Sequence, residues 1–247
     1  MSELIYEKKD KIVILTLNRP EKMNALNTGL IRELSEAWID FRDDDHLWVA
    51  ILTGVGRAFC VGADYRSIND PDFTTDPVET PSHHRIWKPV ICAINGQALG
   101  RGLGLALSSD IKIASEAAEF GCPEAKFGTV ARVDTFDSYL PRAIAQEMLL
   151  IGDSLTSRRA YEVGLINKVV PGEELIHGAE SIAQRICENA PLAVRGIKEM
   201  LVQNRGLSPA GVNDLFEAVK ARVRKSEDRV EGINAFKEKR KPRWQAK

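Results

Sequence analysis

What this chain lacks narrows its class before any motif is read. Four cysteines, Cys60, Cys92, Cys122 and Cys187, are scattered with no Cys-x-x-Cys pair, which argues against a zinc site and against a disulfide framework. No window reaches the roughly 18 apolar residues of a transmembrane helix. The opening MSELIYEKKDKIVILTLN lacks the apolar run and small-residue cleavage site of a signal peptide. A formal net charge of −1 gives no global attraction to nucleic acid or to a membrane surface. There is no GKS or GKT for a P-loop. Gly100, Gly102 and Gly104 also miss the G-x-G-x-x-G spacing, because Leu105 stands where the third glycine is needed. Internal repeats and low-complexity tracts are absent too. These absences predict a reduced, cytoplasmic protein without a metal, a nucleic-acid partner or a membrane anchor. At 247 residues and 44% apolar, it can build a sizeable core.

Apolar periodicity then supplies elements. KIVILTLN (11–18) alternates and ends at Asn-Arg-Pro, as a strand running into a turn does. The next stretch carries Leu30, Ile31, Leu34, Trp38 and Phe41 at helical spacing, with Asn27 or Thr28 as its cap. WVAILTG (48–54), KPVICAING (88–96) and DIKIAS (110–115) read as further strands, so the order is α/β with ligand groups at strand ends. Residues 66–84, rich in Pro, Asp and Thr, read as a long mobile loop of the kind that covers a site. Beyond residue 155 the pattern is helical, with Pro191 and Pro209 in first-turn positions.

Three glycine-bearing turns end apolar runs: NRPEKMNALN, GRAFCVGADY and AINGQALGRGLGLALSSD. A turn such as Gly62-Ala63-Asp64 exposes backbone N–H groups. The turn at Gly100–Gly102 places others at the mouth of a helix, where the dipole favours negative charge. Two such groups converging on one point make an oxyanion hole; spacing alone does not show convergence.

Those segments, with RAFCVGAD, AEFGCPEAKFG, LPRAI, AYEVGLINKVV and EGINAFKEKRKP, stand in the order found in the crotonase (enoyl-CoA hydratase/isomerase) superfamily, which the chain resembles over nearly its whole length. The resemblance implies a crotonase-like ββα spiral core over residues 1–190 and a helical trimerisation segment over 191–247. It implies an acyl-CoA thioester substrate, no cofactor beyond that CoA, and a homotrimer or hexamer. Carried over by motif, the oxyanion-hole N–H groups belong to Ala63 and Arg101, and the acid/base is Glu124 of the Pro-Glu pair. Met23, Ala25, Asp64, Tyr65 and Gly100 fall on the substrate and CoA path. Phe236 and Lys239 match a pair that reaches the CoA of a neighbouring subunit.

The chain also departs from the family pattern. Position 101 is commonly glycine; Arg101 still supplies an N–H, and its side chain either points elsewhere or meets a phosphate or carboxylate. Where GGGCELA is typical this chain reads GRGLGLA, so Gly104 stands in place of a second glutamate, and simple two-glutamate hydration is in doubt. GTVARVDTFDSYLPR (128–142) replaces a glycine-rich segment. Related dienoyl isomerases place an aspartate there. Asp134 is thus either a second acid/base, with Asp137 nearby and Arg132 holding an acidic group, or simply the cap of the helix that follows. His83 and His84 read as solvent-exposed, and Cys122 has no histidine placed to activate it. Three readings result: an enzyme of hydration, dehydration or C–C cleavage, a one-glutamate isomerase, and a non-catalytic acyl-CoA-binding paralogue.

Overall fold

The computed structural model describes residues 2–67, 69–74, 76–132, 136 and 139–247. Strands β1 (Leu4–Lys9) and β2 (Ile12–Leu17) form an antiparallel hairpin turned at Asp10, φ 51°. Strand β1 was not foreseen, because only Leu4 of it is buried and its charged residues hide the alternation. Helix α1 (Thr28–Asp43) is capped by Asn27, whose side chain accepts the Leu30 N–H at 2.8 Å, and it buries the five expected apolar residues. Thr28 instead donates its hydroxyl to Asp70.

Then come β3 (Val49–Gly54), β4 (Ala58–Cys60), β5 (Val90–Ile94), β6 (Gln97–Leu99), α2 (Arg101–Leu107), β7 (Ile111–Ser115) and β8 (Glu119–Gly121). The C-terminal part adds α3 (Arg142–Ile151), β9 (Leu155–Thr156), α4 (Ser157–Glu162), β10 (Lys168–Val170), α5 (Leu175–Cys187), α6 (Pro191–Gln203), α7 (Pro209–Arg224) and α8 (Glu227–Glu238). Pro191 and Pro209 open their helices as expected.

Two sheets result. One has the order β1-β2-β3-β5-β7-β10 and is parallel from β2 onward; the other has the order β4-β6-β8-β9. Each spiral turn lays one long strand in the first sheet, bends, and lays a short strand in the second: β3 to β4, β5 to β6, β7 to β8. The corners are tight. A Cβ on Gly96 would stand 2.0 Å from the Arg57 carbonyl oxygen, so the bend at residues 95–96 admits only glycine there. Buried Asn24 braces the neighbouring corner: its amide donates to the Val55 and Ala58 carbonyls, and its oxygen accepts the Arg19 N–H. Helix α5 covers the outer face of β3, β5 and β7. Lys198 of α6 reaches into the core, donating to the Lys88 carbonyl at 2.9 Å and pairing with Asp110 at 2.7 Å.

Short helix α2 contains two glycines whose surroundings are opposite. A Cβ on Gly102 would lie 2.2 Å from the Cys60 carbonyl oxygen, whereas one on Gly104 meets nothing within 4 Å. Gly102→Ala should therefore destabilise the fold by about 2–3 kcal/mol through overpacking against backbone. Gly104→Ala should stabilise it by about 0.5–1 kcal/mol by removing helix-interior glycine. Urea unfolding of the two variants tests this; shifts of equal sign would contradict the packing described.

Candidate functional site

The short parallel sheet positions the site. Pairing of β4 with β6, and of β6 with β8 in the register Leu99↔Gly121, brings three strand ends side by side. Their following turns, 61–64, 100–101 and 122–124, therefore meet.

Gly62 (φ 99°) and Gly100 (φ 52°) occupy backbone regions suited to glycine. A Cβ on Gly62 would stand 3.1 Å from the Leu99 carbonyl oxygen and 3.4 Å from the Arg101 nitrogen, so the first two turns abut. A bridge between Leu26 and Ala63 holds the first turn: Leu26 N–H donates to Gly62 and Asp64 N–H to Leu26, which leaves the Ala63 N–H between them. Among the described residues, neither the Ala63 nor the Arg101 N–H has an acceptor. Backbone donors beside a cavity and without a partner are uncommon unless something else takes them.

The third turn brings a carboxylate. Gly100 N–H donates to the Gly121 carbonyl, and Pro123 then starts a short 3-10 turn over Pro123–Phe127 that carries Glu124 back across Gly100. Glu124 Oε1 would lie 2.7 Å from a Cβ on Gly100; its Oε2 is buried without a hydrogen-bond partner. The neighbouring Cys122 thiol is pushed well above its ordinary range, by burial first and then by hydrogen bonding to Glu124, so it is no nucleophile.

All three turns open onto one cavity of about 1660 Å³, larger than the usual 300–1,000 Å³ of a drug-sized pocket and so suited to an extended ligand. Met23, Ala25, Ala63, Asp64, Tyr65, Gly100, Arg101, Gly104 and Glu124 all line it. Phe236 and Lys239 do not: Phe236 is 86% exposed on α8, and Lys239 ends that helix in a left-handed conformation. Asp64 is engaged, its carboxylate meeting Arg19 at 3.2 Å and accepting the Arg66 N–H. Asp134 and Asp137 lie outside the described residues. Helix α3 begins at Arg142, with Pro141 as its N-cap. No group of His, Cys, Asp and Glu able to hold a metal ion occurs among the described residues, and none of their helices is long and apolar enough to cross a membrane.

The side chain of Arg101 meets a carboxylate of its own chain. Its guanidinium forms a bidentate pair with Glu79, both bonds at 2.6 Å, and donates to the Thr74 and Asp76 carbonyls at 2.6 and 2.7 Å. Glu79 is 1% exposed on its side chain, and its carbonyl accepts the Trp38 indole N–H. Thr74, Asp76 and Glu79 of the 66–84 stretch are thus tied to the glycine turn through one guanidinium. His83 is exposed as expected, but His84 is partly buried, contacting Ser35 and the Val78 carbonyl, and burial lowers its pKa. Glu79 escaped the sequence reading because a lone glutamate in a polar stretch carries no periodic signal.

Arg101→Ala should cost about 3–5 kcal/mol, because Glu79 is left buried and unpaired. It should also speed proteolysis between residues 69 and 84 while the backbone N–H at 101 remains. Arg101→Lys should recover only part of this, since an ammonium cannot match the planar fork. Wild-type protease resistance in Arg101→Ala would refute the anchoring role.

The family model described as enoyl-CoA hydratase/isomerase matches residues 7–247. The chain is 36% identical to (E)-benzylidenesuccinyl-CoA hydratase of Thauera aromatica, covering 96% of each chain. It is 34% identical to 2,3-dehydroadipyl-CoA hydratase of Escherichia coli (strain K12), covering 98% of each. The crystal structure of enoyl-CoA hydratase from Mycobacterium tuberculosis H37Rv superimposes with a TM-score of 0.95 at 35% identity, covering 100% of both chains.

Proposed function

The chain belongs to the enoyl-CoA hydratase/isomerase family and is an acyl-CoA-processing enzyme of that type; from this premise we propose that it shifts a double bond along an enoyl thioester with Glu124 as its single acid/base. The thioester oxygen accepts the N–H groups of Ala63 and Arg101. As a proton leaves the carbon next to the carbonyl, negative charge grows on that oxygen. Each preorganised donor there lowers the barrier by about 3–4 kcal/mol. Glu124 takes the proton from C2 of a 3-enoyl chain, the electron pair spreads into the enolate, and the carboxylic acid returns the proton at C4, giving the 2-enoyl isomer. Atoms balance, and no water enters.

One observation carries this reading: the other described carboxylates deep in the cavity are committed. Asp64 is paired with Arg19, Glu79 with Arg101 and Asp110 with Lys198, which leaves Glu124. Gly104, the position of a second carboxylate in the family pattern, opens on empty space.

Hydration is the second reading, and the names of the relatives favour it. It requires a second acid/base, for which Asp134 is the candidate. CoA enters past Met23, Ala25 and Tyr65, with Lys22 and Arg66 lining the same side. Exposed apolar residues on the C-terminal helices, Ile197, Leu201, Val230 and Phe236, support a homotrimer or hexamer, in which Phe236 and Lys239 reach a neighbour's CoA.

Incubation with a 3-enoyl-CoA should give a 2-enoyl-CoA of unchanged mass, and Glu124→Gln should lower kcat by about 10³-fold or more with CoA binding retained. Uptake of one water from a 2-enoyl-CoA by the wild type would establish the second reading instead. Gly104→Glu should add or strengthen that water uptake, since a second carboxylate fits the open space.

A further inference from the structure

The far end of the cavity is unlike an apolar acyl tunnel. It is reached along α2, seven residues and so about 10 Å from the Arg101 N–H, and then past Ser108 and Asp110. Lys112 lies there on β7, 5% exposed, with the alternation of the strand turning its side chain into the core layer beneath Tyr139. Its Nζ donates to the Ser109 carbonyl at 2.9 Å and stands 5.1 Å from the centre of the Tyr139 ring. Arg205 approaches the same ring at 5.8 Å, and both side chains line the cavity. Nearby Asp110 is paired with Lys198 at 2.7 Å; it favours the Lys112 charge through space but, among the described residues, forms no ion pair with Lys112 or Arg205. An ammonium has three donors; here one is used by protein, and no described carboxylate forms an ion pair with it. Burial lowers the Lys112 pKa from its ordinary value, which shows that its charge is held at a cost. An alkyl chain in contact with it would add to that cost, whereas a carboxylate would offset it with charge-assisted hydrogen bonds.

We propose that Lys112 and Arg205, set about the Tyr139 ring at the distal end of the cavity, bind a carboxylate at the far terminus of the acyl group, so that the substrate is a carboxyacyl-CoA. This rests on the reading of the cavity as an acyl-CoA site and extends it to the acyl group. Tyr139 is the neighbour the two cations share, 5.1 Å from the Lys112 ammonium and 5.8 Å from the Arg205 guanidinium.

The test is binding rather than turnover, so that it does not depend on the identity of the acid/base. Isothermal titration of the full-length protein compares saturated acyl-CoA thioesters of six, eight and ten carbons with their ω-carboxylated counterparts, and with CoA alone. For the chain length that reaches Lys112, the carboxylated thioester should bind about tenfold more tightly than its neutral counterpart. That preference should fall toward unity in Lys112→Met, which keeps an unbranched stem in the core, and should weaken in Arg205→Gln, a surface change that leaves the fold untouched. Equal affinity for the two thioesters at every length would overturn the proposal while leaving the acyl-CoA reading intact. A loss in Lys112→Met that is as large for CoA alone would show that the cations meet phosphate, and would overturn it as well. Failure of every thioester to bind would remove the acyl-CoA reading and the proposal with it.

Discussion

Three backbone turns share a volume that would be filled if any of three residues carried a Cβ, and the site depends on that steric allowance. Gly62 presses on Leu99 and Arg101, Gly100 on Glu124, and Gly102 on the Cys60 carbonyl. Strand pairing in the short sheet brings the turns together, and the absent side chains let them touch. Directed N–H groups then follow from geometry that the fold has already fixed. Water competes poorly for such donors, because reorienting them costs nothing at the moment charge develops. The free energy needed to hold them there comes from the rest of the spiral, chiefly the parallel ladder and the apolar layers on both its faces.

Arg101 joins this frame to the long loop. A residue valued for its backbone N–H need not have a particular side chain, so the side chain is available for another task. Here it gathers the 74–79 carbonyls and Glu79 around one guanidinium. A buried ion pair is weak evidence for net stability, yet its planar, bidentate form is strong evidence for a single geometry. Any movement of the loop that breaks the fork also disturbs the first residue of α2. Loop position and the direction of the Arg101 N–H are therefore mechanically linked.

Legibility in the sequence followed the distance over which each feature is encoded. The cap at Asn27, the strands at 12–17, 49–54, 90–94 and 111–115, and the prolines opening α6 and α7 rest on neighbours within one or two turns, and each could be read locally. The Gly62-Ala63-Asp64 turn could also be read locally, whereas Glu124 was singled out only through likeness to a known pattern, since nothing near it in sequence says that Gly100 will face it. Glu79, Lys112 and Arg205 carried neither signal. Glu79 matters because Arg101 lies 22 positions on, and Lys112 and Arg205 meet only across the Tyr139 ring. Pairings at that separation are set by sheet order, which single residues do not announce.

On the proposed reading, Gly104 gives the chemistry its direction. Hydration needs a base for water and an acid for carbon, on the same face and in the same encounter. Isomerisation needs one group that moves a proton between two carbons of a held enolate. Removing a carboxylate from position 104 also removes its volume and its negative charge from the wall beside the acyl path. The first loss widens the route toward Lys112. The second reduces electrostatic repulsion for an anion on that route, and between charges a few ångströms apart in a poorly solvated cavity that repulsion is not small. On the proposed reading a single substitution thus acts on reaction and on acyl group together: it would leave Glu124 to move the proton alone, and would clear a path along α2 for a chain that ends in a carboxylate.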